Sequence, residues 1–177
     1  MKLIEVATKK EIIVDKAEDS EIRDYSFSSD SKWITYSKES SNGQPAVWVY
    51  NIPEAKSYQL TDHTFSDFSP VFSTDGNYIF FLSNRDFNLN FSSFEFNYIY
   101  DNATRIYAMI LKADGPELFK DKNDVEPVKE GYSEEKKSEN GKETDKKDEE
   151  ISVKIDVQGI NHRIIAISST TGSYRNL

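Results

Sequence analysis

Phe27-Ser28-Ser29-Asp30-Ser31-Lys32-Trp33-Ile34-Thr35-Tyr36 is matched 45 positions on by Phe72-Ser73-Thr74-Asp75-Gly76-Asn77-Tyr78-Ile79-Phe80-Phe81. Each copy reads as a strand ending in Phe, a turn of Ser, Asp or Gly, and a strand rich in aromatics. A period in the forties with that internal order is the signature of a four-stranded β-propeller blade. A chain of 177 residues is too short to close a propeller of ordinary size. The reading is therefore all-β: a partial β-propeller of about two to three four-stranded antiparallel blades, an arc of a larger protein.

Working outward from the repeat, residues 1–20 read as a partial blade, with strands at Leu3–Val6 and Glu11–Val14 around Thr8-Lys9-Lys10. Residues 21–62 form a complete blade, its strands at Arg23–Phe27, Lys32–Lys38, Ala46–Asn51 and Ser57–Leu60. Alternation sends Val47 and Val49 to one face of that blade and Trp48 and Tyr50 to the other. The next blade, 63–119, repeats the pattern at Asp67–Phe72 and Tyr78–Ser83, but its third strand, Arg105–Leu111, comes 59 positions after its counterpart instead of 45. The extra residues lie within an insert, 84–104, that carries Phe87, Phe91, Phe94, Phe96, Tyr98 and Tyr100. So many rings predict an insert folded back to bury them on the propeller face or a neighbour. Residues 151–177 resume a strand pattern at Ile151–Val157 and Arg163–Ile167 and are expected to start the following blade. An arc without closure leaves strand edges and inter-blade faces bare, so the isolated chain is expected to be marginal and prone to aggregate.

Composition separates one segment from the rest. Residues 120–150 hold 12 acidic and 8 basic side chains, with Val125, Val128 and Tyr132 as the sizeable apolar groups. Burial there cannot offset the entropy of ordering the chain, so 120–150 reads as a disordered charged insertion. Its mixed signs, and the net charge of −9 over the whole chain, argue against a nucleic-acid partner, which would need a basic excess. No apolar run approaches the ~20 residues of a membrane-spanning helix, so no membrane partner is expected. Met1-Lys2-Leu3-Ile4-Glu5-Val6 lacks the features of a signal peptide. The expected location is cytoplasmic, or periplasmic if a parent protein carries its own signal.

The sequence offers little chemistry. With no cysteine, thiol nucleophiles and Cys-ligated zinc are excluded. His63 and His162 both sit beside turns and outside any nucleophile context, and no G-x-S-x-G elbow, H-E-x-x-H, P-loop or dinucleotide fingerprint occurs. Asp75-Gly76-Asn77 lacks the alternating carboxylates and distal Glu of a calcium loop. No catalytic residue, metal site or cofactor is assigned. The cluster worth weighing is Ser83-Asn84-Arg85-Asp86-Phe87-Asn88, where a strand ends and the aromatic insert begins. An Arg flanked by Asp and Asn can fix a loop through charge-assisted hydrogen bonds, the favoured reading, or present its charge to a passing peptide terminus. Asn84, Arg85, Asp86 and Glu95 are the candidates for a loop-fixing or substrate-channel role.

Taken in order, Glu21-Ile22-Arg23-Asp24-Tyr25-Ser26-Phe27-Ser28, Phe81-Leu82-Ser83-Asn84-Arg85-Asp86-Phe87-Asn88, Ser93-Phe94-Glu95-Phe96-Asn97, Ile155-Asp156-Val157-Gln158-Gly159-Ile160 and Gly172-Ser173-Tyr174-Arg175-Asn176-Leu177 resemble the larger propeller of the tricorn-type serine peptidases. The resemblance runs along the chain and is interrupted by the charged insertion. It implies a parent with two propellers, a PDZ-like domain and a catalytic core with a serine nucleophile and a histidine base. It also implies assembly into homo-oligomers and propellers that filter and channel peptides. The partners it implies are thus the remaining blades, the PDZ-like and catalytic domains, and peptides. No catalytic position maps onto this chain, which is expected to hydrolyse nothing by itself. The Phe-Ser-x-Asp-Gly turn also occurs in TolB-like and prolyl-oligopeptidase-like propellers. A TolB-like module that docks a protein partner is the alternative reading.

Overall fold

The computed structural model describes residues 1–17, 21–86, 89–119, 151–167, 170–175 and 177. Met1–Pro116 with Ile151–Leu177 form one compact unit and Glu117–Glu150 a second. Of the second only 117–119 are among the described residues, so the expectation of a disordered insertion at 120–150 falls outside them.

The described residues contain no α-helix. Strands β1 (Lys2–Ile4) and β2 (Glu11–Ile13) pair as an antiparallel hairpin. Strands β3 (Ile22–Phe27), β4 (Trp33–Glu39), β5 (Pro45–Asn51) and β6 (Lys56–Gln59) form a four-stranded meander in chain order. The second blade begins with β7 (Asp67–Phe72) and β8 (Tyr78–Ser83), and the chain then leaves the sheet to form a separate hairpin of β9 (Leu89–Ser92) and β10 (Asn97–Tyr100). It returns as β11 (Arg105–Ile110), which pairs with β8 from Arg105 opposite Ser83 to Ile110 opposite Tyr78. The insertion leaves that ladder continuous because the cost of closing a longer loop grows only slowly with its length.

The fourth strand of the second blade comes from beyond residue 150. Strand β12 (Ile164–Ala166) pairs antiparallel with β11, giving the order β12-β11-β8-β7. The expectation that 151–177 start a following blade is corrected here: the free edge of β11 is the nearest unpaired ladder, and Ile164–Ala166 satisfies it. Residues 151–157 form no strand. They run across the turns of both blades, where the Val153 N–H donates to Asp30 Oδ2 at 2.9 Å and Trp33 Nε1 donates to the Val153 carbonyl at 3.2 Å.

The repeated decapeptide folds the same way twice. Ser28 Oγ donates to Asp30 Oδ1 at 2.6 Å, and Ser73 Oγ to Asp75 Oδ1 at 2.5 Å. Asp30 Oδ1 accepts from the Lys32 N–H, and Asp75 Oδ1 from the Asn77 N–H. The Trp33 and Tyr78 amides donate to the two serine hydroxyls, each at 3.0 Å. Burial alone would raise the Asp30 and Asp75 carboxyls, but these hydrogen bonds together hold both below the usual value. The third turn residue takes a left-handed conformation in both copies, Ser31 at φ 56° and Gly76 at φ 70°. Only the second copy has glycine. A Cβ on Gly76 would lie 2.7 Å from Val153 Cγ2, so the crossing segment leaves no room for one.

Two apolar clusters hold the layers together. Trp33, Val47, Val49 and Leu60 from the first blade pack with Phe72, Ile79, Phe81, Tyr107, Met109 and Leu111 from the second, joined by Val153 and Ile160. On the opposite face of the first blade, Ile34, Tyr36 and Tyr50 pack with Val14, and Leu3, Ile12 and Trp48 add to that cluster. The alternation expected at 47–50 is thus realised, with the valines toward the second blade and Trp48 and Tyr50 toward the first hairpin.

The two turns make a matched test. Gly76→Ala should cost about 2–4 kcal/mol, combining left-handed strain with overpacking against Val153. Ser31→Gly at the equivalent position should change stability by less than ~1 kcal/mol. Urea denaturation midpoints of the two variants check the contrast, and equal losses at both positions would contradict the role given to Val153.

A candidate channel wall and its polar clamp

The innermost strands β3 and β7 lie side by side, and each is irregular at the same repeat position. Pairing with the neighbouring strand shifts register between Arg23 and Ser26 in β3 and between Phe68 and Val71 in β7. Within these bulges Asp24 (φ 54°) and Ser69 (φ 50°), 45 residues apart, adopt left-handed backbone. A bulge disrupts the ladder locally and re-aims the side chains around it. Asp24 Oδ2 accepts from the Ser69 N–H at 3.2 Å and from Ser37 Oγ at 3.2 Å, which ties one inner strand to the next. A cleft of about 320 Å³ opens at this point, lined by Asp24, Tyr25, Ser26, Ser69, Pro70 and Val71, with Leu177 beside them. The Tyr25 ring is largely exposed.

At the end of the second blade the sequence-predicted cluster forms a clamp. Arg85 Nη2 donates to both oxygens of Asp67, at 3.0 and 2.9 Å, and Arg85 Nε donates to Ser83 Oγ at 2.9 Å. The guanidinium is also packed among the rings of Phe65, Phe81 and Tyr107, with its carbon 4.7 Å from the Tyr107 centroid. Asp86 accepts from Arg105 Nη1 at 3.0 Å and from the Tyr107 hydroxyl at 2.8 Å. Asn84 Oδ1 accepts from Thr104 Oγ1 at 2.8 Å, closing the base of the insert. Asn84 and Asp86 thus tie the departing end of the insert to its return at Thr104, Arg105 and Tyr107, whereas Arg85 ties the end of β8 to the start of β7. Glu95 does not join them: it sits in the exposed turn of the β9–β10 hairpin, where its N–H donates to Ser92 Oγ.

Sequence reasoning missed Asp67 as the partner of Arg85. Its signal was an acid opening an inner strand whose other residues are all uncharged. Asp67 is 1% exposed, and burial pushes its carboxyl above the usual value although Arg85, Ser83 and Thr61 pull it back. Burial also raises the Tyr107 phenol, and its hydrogen bond to Asp86 adds to the effect.

The described rings of the insert are not buried on the blades of this chain, and the Tyr100 ring lies outside what is described. Phe91, Phe94, Phe96 and Tyr98 are exposed, Phe94 at 91%, and Phe87 lies outside the described residues. The hairpin pairs with itself, Tyr98 opposite Phe91 and Asn97 opposite Ser92, and not with either blade. His63 is a loop residue whose Nδ1 lies 3.0 Å from the Gln44 carbonyl, and His162 is exposed. Among the described residues no group of three or more His, Asp or Glu side chains could hold a metal ion.

Bulged inner strands, meandering four-stranded sheets and an inter-blade apolar core define the class: this is a segment of a β-propeller. It belongs to the family described as the tricorn protease second beta propeller domain, whose model matches residues 1–177. The chain is 31% identical over 137 residues to the tricorn protease of Thermoplasma volcanium, a match that covers 73% of this chain and 13% of that protein. It is 26% identical over 164 residues to tricorn protease homolog 1 of Streptomyces coelicolor, covering 93% of this chain and 15% of the relative. The crystal structure of the tricorn protease shares the fold with a TM-score of 0.72 and 18% identity, over 99% of this chain and 16% of that one. The chain thus spans about a sixth or less of the length of the proteins it matches.

Removing one partner of the Asp67–Arg85 pair should be costly, because it strands a buried charge. Asp67→Ala is expected to lose about 3 kcal/mol. Because the folded-state value of Asp67 is raised, its contribution to stability is fully present below the unfolded value and falls as pH rises through the folded one. Arg85→Met removes a group that lowers the Asp67 carboxyl, so this decline should extend to higher pH. Urea midpoints measured across acidic to neutral pH check both, and a pH profile unchanged in Arg85→Met would remove the coupling.

Proposed function

We propose that this chain forms part of the wall of a peptide channel in a tricorn-type serine peptidase, filtering and guiding extended peptides toward a catalytic core outside residues 1–177. Family membership supports a multidomain peptidase as the setting. The observation that carries the channel role is the matched pair of bulges at Asp24 and Ser69 in adjacent innermost strands. A repeated irregularity of the inner wall turns polar groups and the Tyr25 ring toward the space a peptide would cross. The filter acts through shape: a narrow, extended chain fits along such a wall, whereas a folded one does not. The clamp around Arg85 keeps the second blade's strand ends fixed while peptides pass, so its role is support and not contact with substrate.

Narrowing the wall tests the proposal. In the full polypeptide that carries these residues, Ser69→Trp should lower kcat/KM for peptides of about ten residues by roughly tenfold, ~1.4 kcal/mol at the barrier. Turnover of a single-residue amide, small enough to bypass a narrowed channel, should stay within about twofold. Equal effects on long and short substrates, or none on either, would show that peptides do not travel along this wall.

A further inference from the structure

Three charged side chains lie on the innermost strands β3 and β7: Arg23, Asp24 and Asp67. Arg23 is paired with Glu21 at 2.9 Å, and Asp67 with Arg85 at 2.9 Å. Asp24 has no cationic partner among the described residues. Its Oδ2 accepts from neutral donors, the Ser69 N–H at 3.2 Å, Ser69 Oγ at 3.4 Å and Ser37 Oγ at 3.2 Å, and its Oδ1 accepts from none of the described residues. Asp24 is exposed and lines the inner-strand cleft together with the largely exposed Tyr25. The backbone does not require this charge. Ser69 adopts the same left-handed conformation at the matching bulge with a neutral side chain, φ 50° against 54°. Nor do the hydrogen bonds require it, because an amide oxygen would accept from the same donors.

We infer that Asp24 and Tyr25 form a subsite for a cationic group of a passing peptide, its free amino terminus or a Lys or Arg side chain. The inference rests on the reading of this chain as a channel wall, and it adds a charge preference to a filter that otherwise works through shape. Both components favour a cation over an anion. An uncompensated carboxylate attracts an ammonium or guanidinium group and repels a second carboxylate. The face of an aromatic ring attracts the same cations through its quadrupole. Asp24 Oδ1 and the Ser69 hydroxyl oxygen, in the same cleft, offer acceptors for the donors that such a group carries. Pro70 and Val71 complete the wall with apolar surface, which displaces water and weakens the screening of the carboxylate. The bulge holds Asp24 in place through three hydrogen bonds before any peptide arrives, so little side-chain freedom is lost on contact. Of the two matched bulges, the first thus selects by charge and the second supplies the neutral groups that position it.

The test uses the full polypeptide and peptides of about ten residues that differ only at their amino-terminal end, which is rich in Lys, Gln or Glu and either free or acetylated. Wild type should favour the cation by about fivefold in kcat/KM, with the difference in KM. A side-chain occupant shows as a preference for Lys over Gln, and a terminal one as a preference for the free over the acetylated end. In Asp24→Asn, which keeps the acceptor oxygen and suits a left-handed backbone, the preference should fall to within about twofold. Should that variant fail to fold, Tyr25→Lys decides by the same criterion, because it leaves the hydrogen bonds of Asp24 in place and sets a cation of the protein's own in the cleft. A preference undiminished in the folded variant, or absent from the wild type, overturns the inference. The channel fails on a different result, Ser69→Trp acting equally on long and short substrates. A length-selective Ser69→Trp beside an unchanged charge preference would strike the subsite and leave the channel standing.

Discussion

The structure depends on one apolar interface, the packing of Trp33, Val47, Val49 and Leu60 of the first blade against Ile79, Phe81, Met109 and Leu111 of the second. Stacked sheets exclude water only when both present a continuous apolar face, which requires strict alternation along every contributing strand. Val47 and Val49 meet that requirement in β5, Ile79 and Phe81 in β8, and Met109 and Leu111 at the end of β11. The inner-strand bulges and the polar groups at the strand ends are positioned relative to this interface. The crossing segment adds to it, because Val153 enters the same cluster while its backbone binds the first blade's turn and its Trp.

Around that interface, polar groups are used where the ladder cannot continue. The Ser-x-Asp turns satisfy amides that would otherwise be unpaired as the chain reverses between the first and second strands of each blade. Asp24 performs the same task between blades, accepting from both its own sheet and the next inner strand. Asp67 and Arg85 perform it at the far end, where burying a carboxylate is tolerable because Arg85 Nη2 donates to both its oxygens and the guanidinium packs against three aromatic rings. A propeller segment of this kind separates its tasks: apolar faces bind blade to blade, and polar irregularities shape the surfaces a ligand or neighbour would meet.

Much of the fold was legible because its determinants are local and repeated. Strands β3, β4, β5, β7, β8 and β11 follow from alternation and turn residues within a few positions of the expected bounds. The cluster Asn84-Arg85-Asp86 was legible as a run of adjacent hydrogen-bonding groups, but its partners Asp67, Thr104, Arg105 and Tyr107 lie about twenty residues away and were not. Glu95 was not separable from them, because nothing in its neighbourhood says that a hairpin turn carries it away. Burial of the aromatic insert on these blades was not legible for a related reason: ring count predicts a need for cover, but not whether this chain supplies it.

The sequence by itself determined the blade repeat, the faces of its strands and the serine–aspartate turns, since each depends on residues within one period of the chain. Only the tertiary structure decided that Ile164–Ala166 completes the second blade, that Val153 leaves room for glycine alone at position 76, and that Asp67 is the partner of Arg85. These are meetings between segments far apart in sequence. A free strand edge, a tight approach or a buried charge constrains the chemistry of its partner, but it carries no record of which distant residue will answer it.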